Sequence, residues 1–167
     1  MIAGSKERFA IEAELQEELD GWLLGRFRFW LCDQPVGDWD DAVDLRGCVR
    51  WLRDFATVAR NRYEPALARA TAEEVFRQLY EPVMSSRSLS SSYENAFSRF
   101  HISYVGMSSF DLFDIILLHD LNGGERCLWR RSGVAKIEEC KLWRHEMETV
   151  AKEFCDLFDG KALSSPE

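Results

Sequence analysis

Phe9–Leu31, FAIEAELQEELDGWLLGRFRFWL, is the stretch on which the fold turns. Phe9, Ile11, Ala13 and Leu15 alternate with Ala10, Glu12, Glu14 and Gln16, the period of a half-buried strand with one apolar and one acidic face. A second strand is predicted over Trp22–Leu31, with Leu23, Gly25, Phe27, Phe29 and Leu31 toward the core. Its other face carries Arg26 and Arg28, placed to meet carboxylates across the strand pair. Glu17–Gly21 supplies turn residues, so the two segments are expected to form an antiparallel hairpin. After Asp33-Gln34-Pro35, a short third strand is expected over Val36–Trp39.

From Asp44 the period changes. Leu45, Cys48, Val49, Leu52, Phe55, Ala56 and Ala59 fall at helical spacing behind an Asp N-cap, which predicts a helix over Leu45–Arg60. Pro65 reads as a break. Thr71 and Glu74 then form a capping box for a second helix expected to stop before Pro82. Ser85–Ser92, SSRSLSSS, has the composition of a mobile surface loop. Strand signals return over Phe97–Val105, Phe110–Leu121 and Glu125–Arg131, the last two joined by the Asn122-Gly123-Gly124 turn. Ala135–Trp143 fits a strand or a helix start, and a strand is preferred. Met147, Val150, Ala151, Phe154, Leu157 and Phe158 make a final helical stripe closed by Gly160. The order predicts an α+β fold: one domain over residues 1–167, a mostly antiparallel sheet with helices largely on one face, and a tail from about residue 160.

Composition narrows the function. A chain of 167 residues can bury roughly 70% of its unfolded surface, and six Trp with eleven Phe exclude disorder. Twenty-one Lys and Arg against 29 Asp and Glu give a net charge of -8, which disfavours nucleic acid and suits a basic protein partner or plain solubility. No run reaches the length of a membrane span and the N-terminus lacks a signal-peptide pattern, so a cytoplasmic address is expected, with no membrane partner. Five cysteines without CxxC spacing are expected to be buried reduced thiols.

No catalytic, cofactor or metal pattern stands out. His101, His119 and His145 are scattered, His145-Glu146 is half of a zinc motif, and neither a nucleophile elbow nor a phosphate loop occurs. Asp38, Asp40, Asp41 and Asp44 crowd around Trp39. Three readings compete for them: a hard-cation site, which lacks the Gly and terminal Glu of an EF-hand loop, a helix-start role for Asp44, and a partner surface anchored by Trp39.

Phe9-Ala10-Ile11-Glu12, Gly25-Arg26-Phe27-Arg28-Phe29-Trp30, Val36-Gly37-Asp38 and the following Leu45 carry a family likeness. Over about its first fifty residues the chain resembles the bacterial polymorphic-toxin immunity proteins grouped as immunity protein family forty-two. The rest agrees in length and general strand and helix pattern. The resemblance implies a cytoplasmic inhibitor that binds the C-terminal toxic domain of a secreted or contact-delivered effector, without catalytic residues or cofactor. Charge adds a basic toxin such as a nuclease as the expected partner. No contact residues transfer with the family. The toxin-binding candidates are therefore Asp38, Trp39, Asp40 and Asp41, then Glu12 and Glu14 on the exposed strand face. The competing functions are a small enzyme with a dispersed site, such as His119 with Asp120, and an adaptor subunit with a permanent hydrophobic interface.

Overall fold

The structure, a computed structural model, describes residues 1–58, 60–85, 98–102 and 107–162. The hairpin forms as expected from strands β2 (Phe9–Leu19) and β3 (Trp22–Leu31), paired antiparallel with Ile11 opposite Phe29 and Glu12 opposite Arg28. Its turn is shorter than expected: only Asp20 and Gly21, both at positive φ, leave the ladder. That is the two-residue turn whose twist matches the strands it joins. β1 (Ile2–Gly4) lies against β2, while β4 (Gln34–Val36) and β5 (Val43–Asp44) both pair with β3. The third strand thus ends at Val36, leaving Trp39 in a loop.

Helix α1 (Leu45–Thr57) is capped by the Asp44 carboxylate, which accepts from the N–H groups of Arg46 and Gly47. It sits close on β3 because Gly25 has no side chain; a Cβ there would lie 2.3 Å from the Glu14 carbonyl oxygen and 2.8 Å from Leu45 Cδ1. Pro65 begins a short helix, α2 (Pro65–Arg69), instead of breaking the chain, since a first-turn residue needs no N–H partner. α3 (Ala72–Ser85) carries the Thr71–Glu74 capping box, with Glu74 N–H donating to Thr71 Oγ1 and Thr71 N–H to Glu74 Oε2. It runs on through Pro82, and the remainder of the Ser-rich segment lies outside the described residues.

Phe97–Val105 does not form the expected strand where it is described: residues 98–100 are helical, and His101 makes a single bridge to Ile116. A second antiparallel sheet follows, built from β6 (Phe113–His119), β7 (Glu125–Arg131) and β8 (Glu138–Leu142). Ala135–Trp143 thus contains a strand, as preferred. The last helix, α4 (Glu146–Ala162), continues through Gly160 instead of stopping there.

The α+β class holds, with the strands divided between two sheets. The inner face of the first sheet, α1, α4 and one face of the second sheet share one core, in which Phe27 meets Phe29, Phe110 and Phe154 edge-on at 5.6–6.0 Å. The other face of the second sheet, through Ile116, Leu118 and Leu128, packs on Leu67, Val75, Phe76 and Leu79 of α2 and α3. Leu15, expected in the core, is 54% exposed. The ladder shifts register between Leu15 and Glu17, and the hairpin tip beyond it is exposed along β2.

Cys32 and Cys140 correct the expectation of five reduced thiols: they are bonded to each other across 108 residues, with Cα atoms 5.9 Å apart, and fasten the end of β3 to β8. Cys48, Cys127 and Cys155 are buried and free. Reduction, or Cys140→Ala, is expected to lower unfolding stability by about 2–5 kcal/mol, read as a shift of the urea midpoint.

Burial holds the His101 imidazole down to about 4, against 6.5 for an ordinary histidine. Between those values the unfolded chain binds the proton and the folded one does not, so this component of stability grows as pH rises from about 4 to 6.5. Urea unfolding at pH 7 and pH 4 should show the native chain losing about 1–3 kcal/mol more than His101→Phe over that interval.

Candidate functional site

The even-numbered face of the hairpin looks away from the core. Alternation and register place Glu12, Glu14, Glu17 and Leu19 of β2 there beside Trp22, Leu24, Arg26, Arg28 and Trp30 of β3. Glu12 is its hub. Its Oε2 accepts from Arg28 Nε and from Trp30 Nε1, both at 2.7 Å, and its Oε1 from Lys6 Nζ at 3.3 Å. Partial burial alone would push this carboxyl up, but the bonds from Trp30, Arg28 and Lys6 together outweigh it and hold Glu12 below the usual carboxylate range.

The same cations stack on tryptophans. Lys6 Nζ lies 4.1 Å from the Trp30 ring, and the Arg28 guanidinium lies 4.6 Å from Trp30 and 4.1 Å from Trp39. Trp39 therefore anchors the acidic loop to the sheet. Gly37, at φ +118, lets that loop pass close over Arg28, where a Cβ would meet Arg28 Cβ at 3.2 Å and Phe110 at 3.3 Å. Asp38 N–H donates to the Ser109 carbonyl, and the Asp38 carboxylate accepts from Asp40 N–H.

Sequence-predicted residues thus meet on one surface. Glu12 and Trp39 are joined through Arg28, and Glu14 stands opposite Arg26 on the same face. Asp40 and Glu14 are exposed, Asp38, Trp39 and Asp41 half-buried. Asp44 belongs to the helix cap. The sequence reading missed the exposed tip, where Leu19 and Trp22 are 51% and 57% exposed next to Glu17, Glu18 and Asp20. Exposed leucine and tryptophan amid carboxylates was the signal available.

A second group of polar residues lies where β6, β7 and α4 meet. Glu125, fully enclosed, accepts from His145 N–H through Oε1 at 2.9 Å. Glu148 Oε1 accepts from buried Arg62 at 2.7 Å. Burial, and then the Glu148 charge, push Glu125 up to about 8, while burial and Arg62 lower His119. His119 and His145 line a cleft of about 480 Å³ with Arg60, Asn61, Tyr63 and Asp120. Asp120, paired with His119 in the dispersed-enzyme reading, spends its Oδ1 on the N–H groups of Asn122 and Gly124 in the β6–β7 turn.

The fold and the family agree. An antiparallel two-sheet α+β domain of this kind is shared with the crystal structure of CdiI from Burkholderia dolosa AUO158, at a TM-score of 0.73 and 14% identity, over 94% of this chain and 99% of that one. No curated protein matches the chain. The Immunity protein 42 family matches residues 1–156, and the chain belongs to that family. It is an immunity protein, which binds and neutralises a cognate toxin domain and so protects the cell that makes it. No described helix is long and apolar enough to cross a membrane.

Arg28→Ala should release Trp39, while Trp30 and Glu12 keep each other and Lys6. The expected result is red-shifted tryptophan fluorescence and a stability loss of about 1–2 kcal/mol, with the helical circular dichroism retained.

Proposed function

We propose that this immunity protein acts in the cytoplasm by binding alone, without turnover, and that its toxin docks on the outer face of the first sheet. The contact residues are Asp38, Trp39, Asp40 and Asp41 of the loop, with Glu12 and Glu14 on the strand. The carrying observation is the fastening of the acidic loop by Arg28 and Trp39, which presents carboxylates on a rigid base. Rigid presentation reduces the ordering cost of binding. Leu19 and Trp22 extend the same face with exposed apolar surface, the combination of anchor and charged surround found at interface hot spots.

The net charge of -8 supports a basic toxin domain such as a nuclease, whose phosphate-binding surface these carboxylates would cover. The same charge disfavours nucleic acid as a direct ligand of this chain. Glu12 also holds Arg28 under Trp39, and Asp40 and Glu14 are the most exposed carboxylates of this surface.

The test is co-purification with the product of the gene immediately upstream, followed by titration of the complex against salt. Tight one-to-one binding that weakens with salt is expected. Changing Asp38, Asp40 and Asp41 together to Asn should weaken it by at least about tenfold and flatten its salt dependence. Unchanged affinity and salt dependence in the folded triple variant would move the contact surface elsewhere.

A further inference from the structure

We propose that Glu125, His145 and Glu148 form a site for a divalent transition-metal ion of the zinc class, with His119 beside it. One ligand atom from each of the three lies within 4.8 Å of the others. Bonds of about 2.0–2.2 Å hold the ligand atoms of one tetrahedral ion roughly 3.3–3.6 Å apart, so side-chain adjustment of up to about 1 Å closes the three on an ion. Each ligand comes from a defined backbone position: Glu125 on β7, His145 in the preceding turn of α4 at φ +59, and Glu148 in the first turn of that helix.

The second observation is independent of the spacing. Glu125 Oε2, Glu148 Oε2 and His119 Nε2 are all enclosed and without a hydrogen-bond partner, and Glu125 as a whole is 0% exposed. Buried polar atoms are rarely left so, and each costs about 1–3 kcal/mol. A cation held by Glu125, His145 and Glu148 would satisfy the two carboxylate oxygens together, while His119, whose Nε2 stands 4.0 Å from Glu125 Oε1, lies beside the ligand set.

The neighbouring charges fit an outer shell. Arg62, whose Nε is also unpartnered, binds only Oε1 of Glu148 and leaves Oε2 for the ion, the usual way a ligating carboxylate is oriented. Arg144 donates to His145 Nε2 at 3.2 Å; it is exposed and can yield that nitrogen. With two arginines adjacent, affinity comes from coordination and not from net negative charge. Imidazole with two carboxylates suits zinc better than magnesium or calcium, which take oxygen alone. The cleft at His119 and His145 gives the ion an entry path.

The site shares no residue with the proposed toxin-binding face, so its test is separate. The full chain, stripped with chelator, is titrated with zinc by calorimetry and with cobalt by visible absorption. Expected are a single ion per chain, a raised melting temperature and tetrahedral cobalt bands without thiolate charge transfer. His145→Asn, chosen because Asn tolerates positive φ, and Glu148→Gln should each weaken binding more than about tenfold while the circular dichroism is unchanged. Absence of binding, equal binding by the folded double variant, or a thiolate cobalt spectrum would each overturn the site.

Discussion

The register of β2 against β3 is the constraint on which the rest depends. Pairing Ile11 with Phe29 sends Phe9, Ile11, Ala13, Phe27, Phe29 and Leu31 to one side, and pairing Glu12 with Arg28 sends the charges to the other. A slip of a single residue would exchange the two faces, burying carboxylates and exposing three phenylalanines. Burial of those rings at roughly 1.5–3 kcal/mol each outweighs anything the surface pairs contribute. The core therefore sets the register, and the register places the outer charges. Glu12, Arg28, Trp30 and Trp39 come together as a consequence of packing on the opposite face.

The same hierarchy fastens the second sheet. Its inner face shares the phenylalanine core, the Cys32–Cys140 bond ties its edge strand to the end of β3, and Arg8 reaches from the first sheet to the Glu146 carboxylate at the start of α4. The start of α4 is thus held by Glu146 on one side and by Glu125 through His145 on the other. A protein that inhibits by binding needs this rigidity more than it needs reactive groups, because ordering a loose surface on association subtracts from affinity. The hairpin tip departs from that pattern: beyond the bulge it projects with Leu19 and Trp22 exposed.

What was legible in the sequence was local. The β2–β3 alternation, the Asp44 cap, the Thr71–Glu74 box and the Asn122–Gly124 turn each depend on residues a few positions apart, and each is present. Helix ends were less legible: α3 continues past Pro82 and α4 past Gly160. Pairings across distance were not legible at all. Cys32 and Cys140 stand 108 positions apart, and Glu125, His145 and Glu148 have no motif spacing until β7 and α4 meet. The acidic loop was visible as composition, but its anchorage was not, because the Arg28 guanidinium belongs to another strand. Leu15 followed the strand period and still lies outside, since periodicity carries no information on where a neighbouring layer ends.

Backbone hydrogen exchange of the immunity protein, free and bound to its toxin domain, gives the most direct view of how neutralisation works. Slowed exchange confined to β2, β3 and residues 37–41 is the predicted footprint. Protection on α3 and the second sheet, with the hairpin and the acidic loop exchanging as in the free protein, would contradict it.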